Sequence, residues 1–380
     1  MHLSLLASAL VAALVGYGST IALLLAAAAA LGASPAETTS WITAVCLLKA
    51  AGSLGLSLWS RVPVVLAWST PGAALVAATS GLTMAEAAGA FLIAGLLTAA
   101  TGLVRPLGRA VAAIPDAVAA GMLAGVLLPF CLKLPGAAAA QPGIVLPMIA
   151  VFALIRLRNP ALAVLGALAA GVALAFLTGT AAPLGGWSAP GLTWIAPAVR
   201  WEVAAGLALP LYLVTMASQN LPGFATLRAH GYDPPVAPAL VVTGGLSALG
   251  AIAGAHPISM AAITAAMVMG PDTHPDPGQR WKAAIPYAAV WTGLAALGPL
   301  VIALLAALPA DLVAAVVGLA LLGTFTGAAG TAFATPALRF PAGVTLAVTA
   351  AGVAVWGVGA AFWGLLAGLA FAGLDRLAQR

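Results

Sequence analysis

The sequence predicts an all-α polytopic membrane protein with about fourteen transmembrane segments in two inverted seven-span repeats. Three observations predict it. Only 6% of the residues are charged and 63% are hydrophobic, whereas soluble domains carry about 25% charged residues. Apolar stretches long enough to cross a bilayer, about 20 residues each, recur from end to end. Prolines also return at a matching interval: Pro63 and Pro257 are 194 residues apart, as are Pro115 and Pro309.

In chain order the spans fall at 4–31, 40–59, 64–78, 84–104, 116–133, 143–157, 160–179, 203–220, 236–253, 257–270, 282–306, 311–327, 332–354 and 357–374. The first lacks a basic n-region and exceeds a typical h-region, so it reads as a retained span rather than a signal peptide. With the N-terminus inside, Arg61, Arg105, Arg109, Arg156, Arg158, Arg228, Arg280, Lys282, Arg339, Arg376 and Arg380 fall on the cytoplasmic side. Only Lys133 and Arg200 fall outside. That asymmetry orients the chain with both termini cytoplasmic, and it accounts for the net charge of +5 without nucleic acid. Lys49 remains, midway along the second span. Cys46 and Cys131 lie in apolar runs and support neither a disulfide nor a metal framework. No cofactor or metal is expected.

The halves echo each other in sequence: IPDAVAAGMLAGVLL (114–128) resembles LPADLVAAVVGLALL (308–322). Seven spans separate equivalent points, and an odd number flips the second copy. Inverted repeats of this kind are the usual architecture of secondary transporters, with the substrate site at short, interrupted segments near the midplane. The third and tenth spans are those segments.

In the third, Val62 to Trp68 favour extended backbone, and Ser69-Thr70-Pro71-Gly72 then carries a helix-start signature, with a hydroxyl cap and Pro in the first turn. In the tenth, His256-Pro257-Ile258-Ser259 precedes MAAITAAMVM, with Ser259 as the expected cap. Both half-helices would direct unpaired N–H groups toward the membrane centre, where such ends bind anions. A pair of proline kinks in packed helices is the competing account.

The acids map to loops or span ends, and Glu86, Asp116, Glu202 and Asp311 sit in first turns, where carboxylates complement the helix dipole. His2, His230 and His274 are terminal or in loops. Only His256 and Lys49 are ionisable groups at depth, and such groups are functional candidates. Histidine changes charge near neutral pH, so His256 is the expected proton-coupling residue. On the eighth span Tyr212, Thr215 and Gln219 share a helical face by spacing, followed by Asn220. On the first span Tyr17, Ser19 and Thr20 form the matching polar group. Interhelical hydrogen bonding is the plainer role for such residues.

Three stretches, AWSTPGAAL (67–75), SQNLPGFATLRAHGYDPP (218–235) and GAHPISMAAITAAMVMGPDTHPDP (254–277), resemble the benzoate/proton symporter family. LVGYGST in the first span and the IPDAVAAGMLAGVLL segment fit as well, so the resemblance covers essentially the whole chain. The family is related to the uracil and xanthine permeases. The resemblance implies a core domain of spans one to four and eight to eleven, and a gate domain of the other six. The corresponding divisions are 1–110 and 201–307 for the core, and 111–200 and 308–380 for the gate. In those relatives, acids on the eighth and tenth spans contact a nucleobase and couple protons. Gln219 and His256 stand in those neighbourhoods here, which suits a carboxylate substrate.

The expected function is proton-coupled uptake of benzoate or a similar small aromatic carboxylate across a bacterial-type cytoplasmic membrane, by alternating access. The expected substrate-binding residues are Tyr17, Trp68, Ser69, Thr70, Thr215, Gln219, Asn220, His256 and Ser259. A nucleobase or other small-anion carrier on the same fold, or an anion channel, is the alternative. A membrane enzyme is not expected, since no HExxH, deep acid pair or nucleophile–base constellation is present. The partners are the aromatic acid, a proton and the bilayer; a homodimer is left open.

Overall fold

The computed structural model describes residues 3–185, 189–261 and 263–378. His2 and Arg380, placed above at the N-terminus and on the cytoplasmic side, lie outside the described residues. The first crossing is built from α1 (Leu3–Gly18) and α2 (Ile21–Ala30). It is interrupted where the Ser19 and Thr20 hydroxyls donate back to the Val15 and Gly16 carbonyls, an interaction that competes with the helix ladder. The exposed leucines 3, 6, 10 and 14 of α1 give it a lipid-type face. Helix α3 (Pro35–Ser60) starts on a capping box of Ser34 and Glu37 and ends where Arg61 turns left-handed at φ 56°.

A short strand β1 (Leu66–Trp68) then leads into the half-helix α4 (Thr70–Ala77). Next come α5 (Met84–Leu103), capped by a second box of Thr83 and Glu86, and α6 (Arg105–Ala112). Helices α7 (Asp116–Ala140), α8 (Pro142–Arg156) and α9 (Pro160–Leu177) follow. Helix α7 continues through Pro129 and Pro135, so the fifth span runs past its expected end at 133.

One long helical stretch covers residues 201–229. It consists of α10 (Trp201–Val203), a π-helical turn (Ala204–Ala208), α11 (Leu209–Thr215), a second π turn (Met216–Asn220) and α12 (Leu221–Ala229). After α13 (Val236–Ala251) come strand β2 (Ile258–Met260) and the very short α14 (Ile263–Ala266). The chain closes with α15 (Ala284–Ala306), α16 (Ala310–Ala334), α17 (Arg339–Ala350) and α18 (Ala360–Ala378). The expected division at 311–327 and 332–354 is corrected here. Helix α16 persists to Ala334, and the break falls at Thr335, which is extended (φ −91°, ψ 110°) because it precedes Pro336.

Among the described residues, nine helical stretches are long and apolar enough to cross a membrane. The chain is a multi-pass membrane protein. Helix α16 packs along α7 and α17 lies against both α7 and α18, while α13 packs along α5 and α15 along α3. The α5–α13 contact depends on small residues, as membrane helix pairs often do. A Cβ on Gly95 would lie 2.6 Å from the Ala248 nitrogen, and one on Gly244 would lie 2.6 Å from the Gly95 carbonyl.

The two strands pair antiparallel, with Leu66 opposite Met260, Ala67 opposite Ser259 and Trp68 opposite Ile258. Three residues of sheet inside a membrane protein leave outer-edge backbone groups that must find partners within the protein. Side chains from neighbouring helices supply them. Ser53 Oγ accepts from the Leu66 N–H at 3.0 Å, and Ser57 Oγ both accepts from the Val64 N–H and donates to its carbonyl. On the other edge, Ser247 Oγ accepts from the Ile258 N–H at 2.8 Å and Asn220 Oδ1 accepts from the Met260 N–H at 2.9 Å. The Tyr287 hydroxyl donates to the Leu66 carbonyl at 3.0 Å. The pair of strands is thus clamped by α3, α13, α15 and the second π turn.

Candidate functional site

The strand pair brings residues from the two halves of the chain into one enclosed cluster. Ser69 caps α4 as its sequence predicts, its Oγ accepting from the Gly72 N–H at 3.1 Å. The same Oγ shares a 2.7 Å hydrogen bond with Thr215 Oγ1 on α11, and the Ser69 N–H donates to the Pro257 carbonyl at 2.9 Å. Ser69, Thr215 and the start of the second strand segment therefore form one unit. Thr70, the next residue, is half-buried at the helix start.

The second segment is built differently. Ser259 lies within β2 and is not a helix cap; its buried Oγ makes no hydrogen bond. Its expected role fails because Ile258–Met260 is extended, and α14 begins only at Ile263. His256 precedes the strand, fully buried, with rings of Trp41 and Phe91 at centroid distances of 5.6 and 6.5 Å. The Trp41 indole N–H donates to His256 Nδ1 at 2.9 Å. An indole nitrogen only donates, so Nδ1 is the acceptor and the ring is the neutral tautomer with its proton on Nε2. Nε2 makes no well-formed hydrogen bond, although the Ser69 backbone is next to it.

The π turn over Met216–Asn220 interrupts the face expected to join Tyr212, Thr215 and Gln219. Tyr212 is held by Thr101 through its hydroxyl, Thr215 by Ser69, and Asn220 by the Met260 N–H. Half-buried Gln219 forms no hydrogen bond with this group. Gly223, one turn on, permits the close approach of α12 to the second strand: a Cβ there would lie 2.5 Å from Met260 Cβ.

A second cluster lies beside the first strand. Trp68 donates from Nε1 to Thr20 Oγ1 at 2.7 Å, and its ring meets Tyr17 at 5.8 Å and Trp291 at 5.2 Å. Lys49 enters this group from α3, 2% exposed, with Nζ 3.2 Å from the Trp291 ring centroid and 4.6 Å from that of Trp68. Desolvated cation–π contacts contribute ~2 kcal/mol each, which offsets only part of the several kcal/mol that burying an ammonium costs.

A cavity of about 400 Å³ opens elsewhere, between the C-terminal half of α4, the middle of α7 and the turn before α18. Leu75, Thr79, Phe130, Lys133, Glu202 and Thr349 are among its walls. It touches α4 at Leu75 and beyond, so it approaches the cluster without reaching Ser69, His256 or Lys49.

Sequence patterns pointed to the STPG start and His256 but not to their partners. Trp41, Trp291 and Tyr287 look like ordinary core aromatics, and their meeting with His256, Lys49 and Leu66 depends on tertiary folding. Ser53 and Ser57, and likewise Thr243 and Ser247, offered a signal: hydroxyls spaced i, i+4 on one face of an otherwise apolar span.

A family model for benzoate membrane transport proteins matches residues 1–374 of this chain. The inner membrane protein YdcO of Escherichia coli (strain K12) is 39% identical over 373 residues, covering 97% of this chain and 95% of that protein. A benzoate membrane transport protein of Acinetobacter baylyi (strain ATCC 33305 / BD413 / ADP1) is 33% identical over 360 residues, 94% of this chain and 91% of its relative. Among solved structures, SLC26A9 superposes at a TM-score of 0.69 with 14% identity over 98% of this chain, which spans 65% of that longer protein. The transmembrane domain of a cyanobacterium bicarbonate transporter, BicA, superposes at 0.59 with 16% identity, covering 100% and 98%. At such identities the likeness is one of fold.

Proposed function

The chain belongs to the benzoate membrane transport protein family, and on that premise we propose that it takes up benzoate or a similar small aromatic carboxylate together with a proton. Its family is one of membrane transporters, not an enzyme class. The observation that carries the substrate reading is the polar content of the enclosed clusters. They hold a lysine, a histidine, hydroxyls and indole N–H groups and, among the described residues, no carboxylate. Such a set repels no anion and supplies donors to one.

Fourteen crossings fit the described elements. They comprise the nine long stretches, the shorter apolar helices α8 and α13, α17, and the two strand-to-helix segments. The interval of 194 residues also separates Ser53 from Ser247, which both accept from strand N–H groups. That supports two inverted repeats. Residues 1–110 and 201–307 would make the core and 111–200 and 308–380 the gate, a division supported by the packing of α3 on α15, α5 on α13, and α7 on α16 and α17. On the topology predicted from Lys and Arg, the cavity beside Lys133 is the external approach to the site.

The substrate carboxylate would reach the strand–helix junctions near Ser69, Thr70 and Ser259, with Thr215, Gln219 and Asn220 closing one side, and Tyr17 and Trp68 offering ring faces. His256 is the coupling group. A proton added at Nδ1 would place two N–H donors against each other, so protonation and release of Trp41 occur together. This links proton uptake to movement of α3 relative to β2.

Uptake of labelled benzoate into proteoliposomes under an imposed inward proton gradient tests the reading. Uptake is expected to rise with the gradient and to be inhibited by salicylate but not by uracil. His256→Gln is expected to abolish the rise. Inhibition by uracil equal to that by salicylate would overturn the substrate class, and an unchanged gradient response in the variant would remove His256 from coupling.

A further inference from the structure

Of the Lys and Arg residues, Lys49 alone is placed by the sequence midway along a crossing helix, and it is almost completely buried. Among the described residues no acid pairs with it: the two ion pairs join Arg200 to Glu86 and to Glu202. Its ammonium lies over the faces of Trp291 and Trp68, and its ionisable neighbours are the Cys46 thiol and His256, neither of them a carboxylate. A ring face attracts a cation through its quadrupole but brings no negative charge, so the ammonium remains uncompensated. Buried charges in membranes ordinarily pair with an opposite charge or a carbonyl.

The atoms around it point the same way. Tyr17 contributes a buried hydroxyl that makes no hydrogen bond, on a ring 5.8 Å from both Trp68 and Trp291. The Trp291 indole N–H likewise makes no well-formed hydrogen bond, although the Tyr287 hydroxyl lies beside it. Lys49 and the Trp291 nitrogen only donate, and a tyrosine hydroxyl can donate. The ligand that matches such a group is an anion with two acceptor oxygens. The indole faces now covered by the ammonium match a flat aromatic ring. A carboxylate joined to an aromatic ring satisfies both halves.

We propose that Lys49 is the cationic partner of the transported carboxylate. In this structure its ammonium rests on Trp291 and Trp68. When the acid enters, Lys49 leaves the rings and pairs with one carboxylate oxygen, the Tyr17 hydroxyl donates to the other, and the uncovered indole faces receive the substrate ring. This rests on the aromatic-acid reading above but moves the carboxylate from the strand–helix junctions to Lys49 and the Tyr17 hydroxyl.

The test compares benzoate with benzamide, which keeps the ring and shape but carries no charge. Binding of both is measured by calorimetry on purified full-length protein, for the wild type, Lys49→Gln and Lys49→Arg. The wild type is expected to prefer benzoate at least tenfold. Lys49→Gln is expected to lose that preference through weaker benzoate binding while benzamide binding is kept, and Lys49→Arg to retain most of it. A merely structural lysine would weaken both ligands alike, so a Lys49→Gln protein that keeps the wild-type ratio overturns the proposal. Indole fluorescence gives an independent readout on the wild-type protein, with no lysine substitution. Benzoate but not benzamide should shift an emission component that disappears in Trp291→Phe, and no such shift also overturns it. A wild-type protein that binds neither ligand sinks the aromatic-acid reading itself. Wild-type benzoate binding with an unaltered Lys49→Gln ratio sinks only the role of Lys49.

Discussion

Both strands take edge partners from neighbouring helices, Ser53 and Ser57 for the first segment and Ser247 and Asn220 for the second, but the two segments differ at the helix start. The first is largely self-sufficient at its helix start: Ser69 caps an eight-residue half-helix from within the same stretch. The second has a helix of only four residues, which begins at Ile263, and Ser259 sits in the strand ahead of it rather than capping it. Its own polar side chains are left over. Ser259 Oγ and His256 Nε2 are both buried without a well-formed hydrogen bond. Those two atoms stay available to a ligand, whereas Ser69 is already engaged by Gly72 and Thr215.

The largest effect should come from prising the second strand away from α12. In Gly223→Val the new side chain would collide with Met260 Cβ, which a Cβ at 223 already approaches to 2.5 Å, and with the Ala261 carbonyl at 3.0 Å. Overpacking of this kind costs ~3 kcal/mol. The variant should yield little monodisperse protein on size-exclusion chromatography in detergent. The counterpart in the first segment is Gly72→Ala, whose methyl would meet the movable end of Leu211 at 2.6 Å and the cap oxygen of Ser69 at 2.7 Å. That variant should remain monodisperse with a lowered melting temperature. Equal losses in both would erase the distinction.

A sharper version removes one hydrogen-bonding group from each segment. Asn220→Leu leaves the buried Met260 N–H without its acceptor, a loss of about 1–3 kcal/mol. Ser69→Ala removes a helix cap, typically worth about 1 kcal/mol, and the freed Thr215 hydroxyl can turn back to a carbonyl of its own helix. Thermal unfolding followed by circular dichroism should therefore show the larger fall in Asn220→Leu. The reverse order would mean that the first segment, not the second, depends more on its partner.

The same difference explains what the sequence made legible. Apolar runs predicted the long helices because burial and bilayer thickness leave a helix few alternatives. Ser69-Thr70-Pro71-Gly72 was readable because cap, proline and helix are contiguous. Around His256 the determinants are dispersed: Ser247 lies in the preceding helix, Asn220 40 residues before Met260, and Trp41 215 residues before His256. Nothing local to His256-Pro257-Ile258-Ser259 separates a serine that caps a helix from one inside a strand, and the cap expected at Ser259 is not there. Lys49 stood out as a buried charge, but its ring partners are brought in by tertiary folding alone.

The smallest expected change in stability falls on Ser259, and it separates bracing from binding. Its hydroxyl is buried without a partner, so Ser259→Ala removes no protein hydrogen bond and relieves a desolvated polar atom. The variant should be no less stable than the wild type, because a buried hydroxyl without a partner contributes no hydrogen bond to the folded state. If that hydroxyl faces the substrate, benzoate uptake should nevertheless fall several-fold, with KM raised more than the maximal rate is lowered. Unchanged uptake and unchanged stability would show that the second segment's unused polar atoms are not reserved for a ligand. The contrast between the two segments would then be one of construction alone, and recognition of the carboxylate would shift toward the aromatic cluster around Lys49.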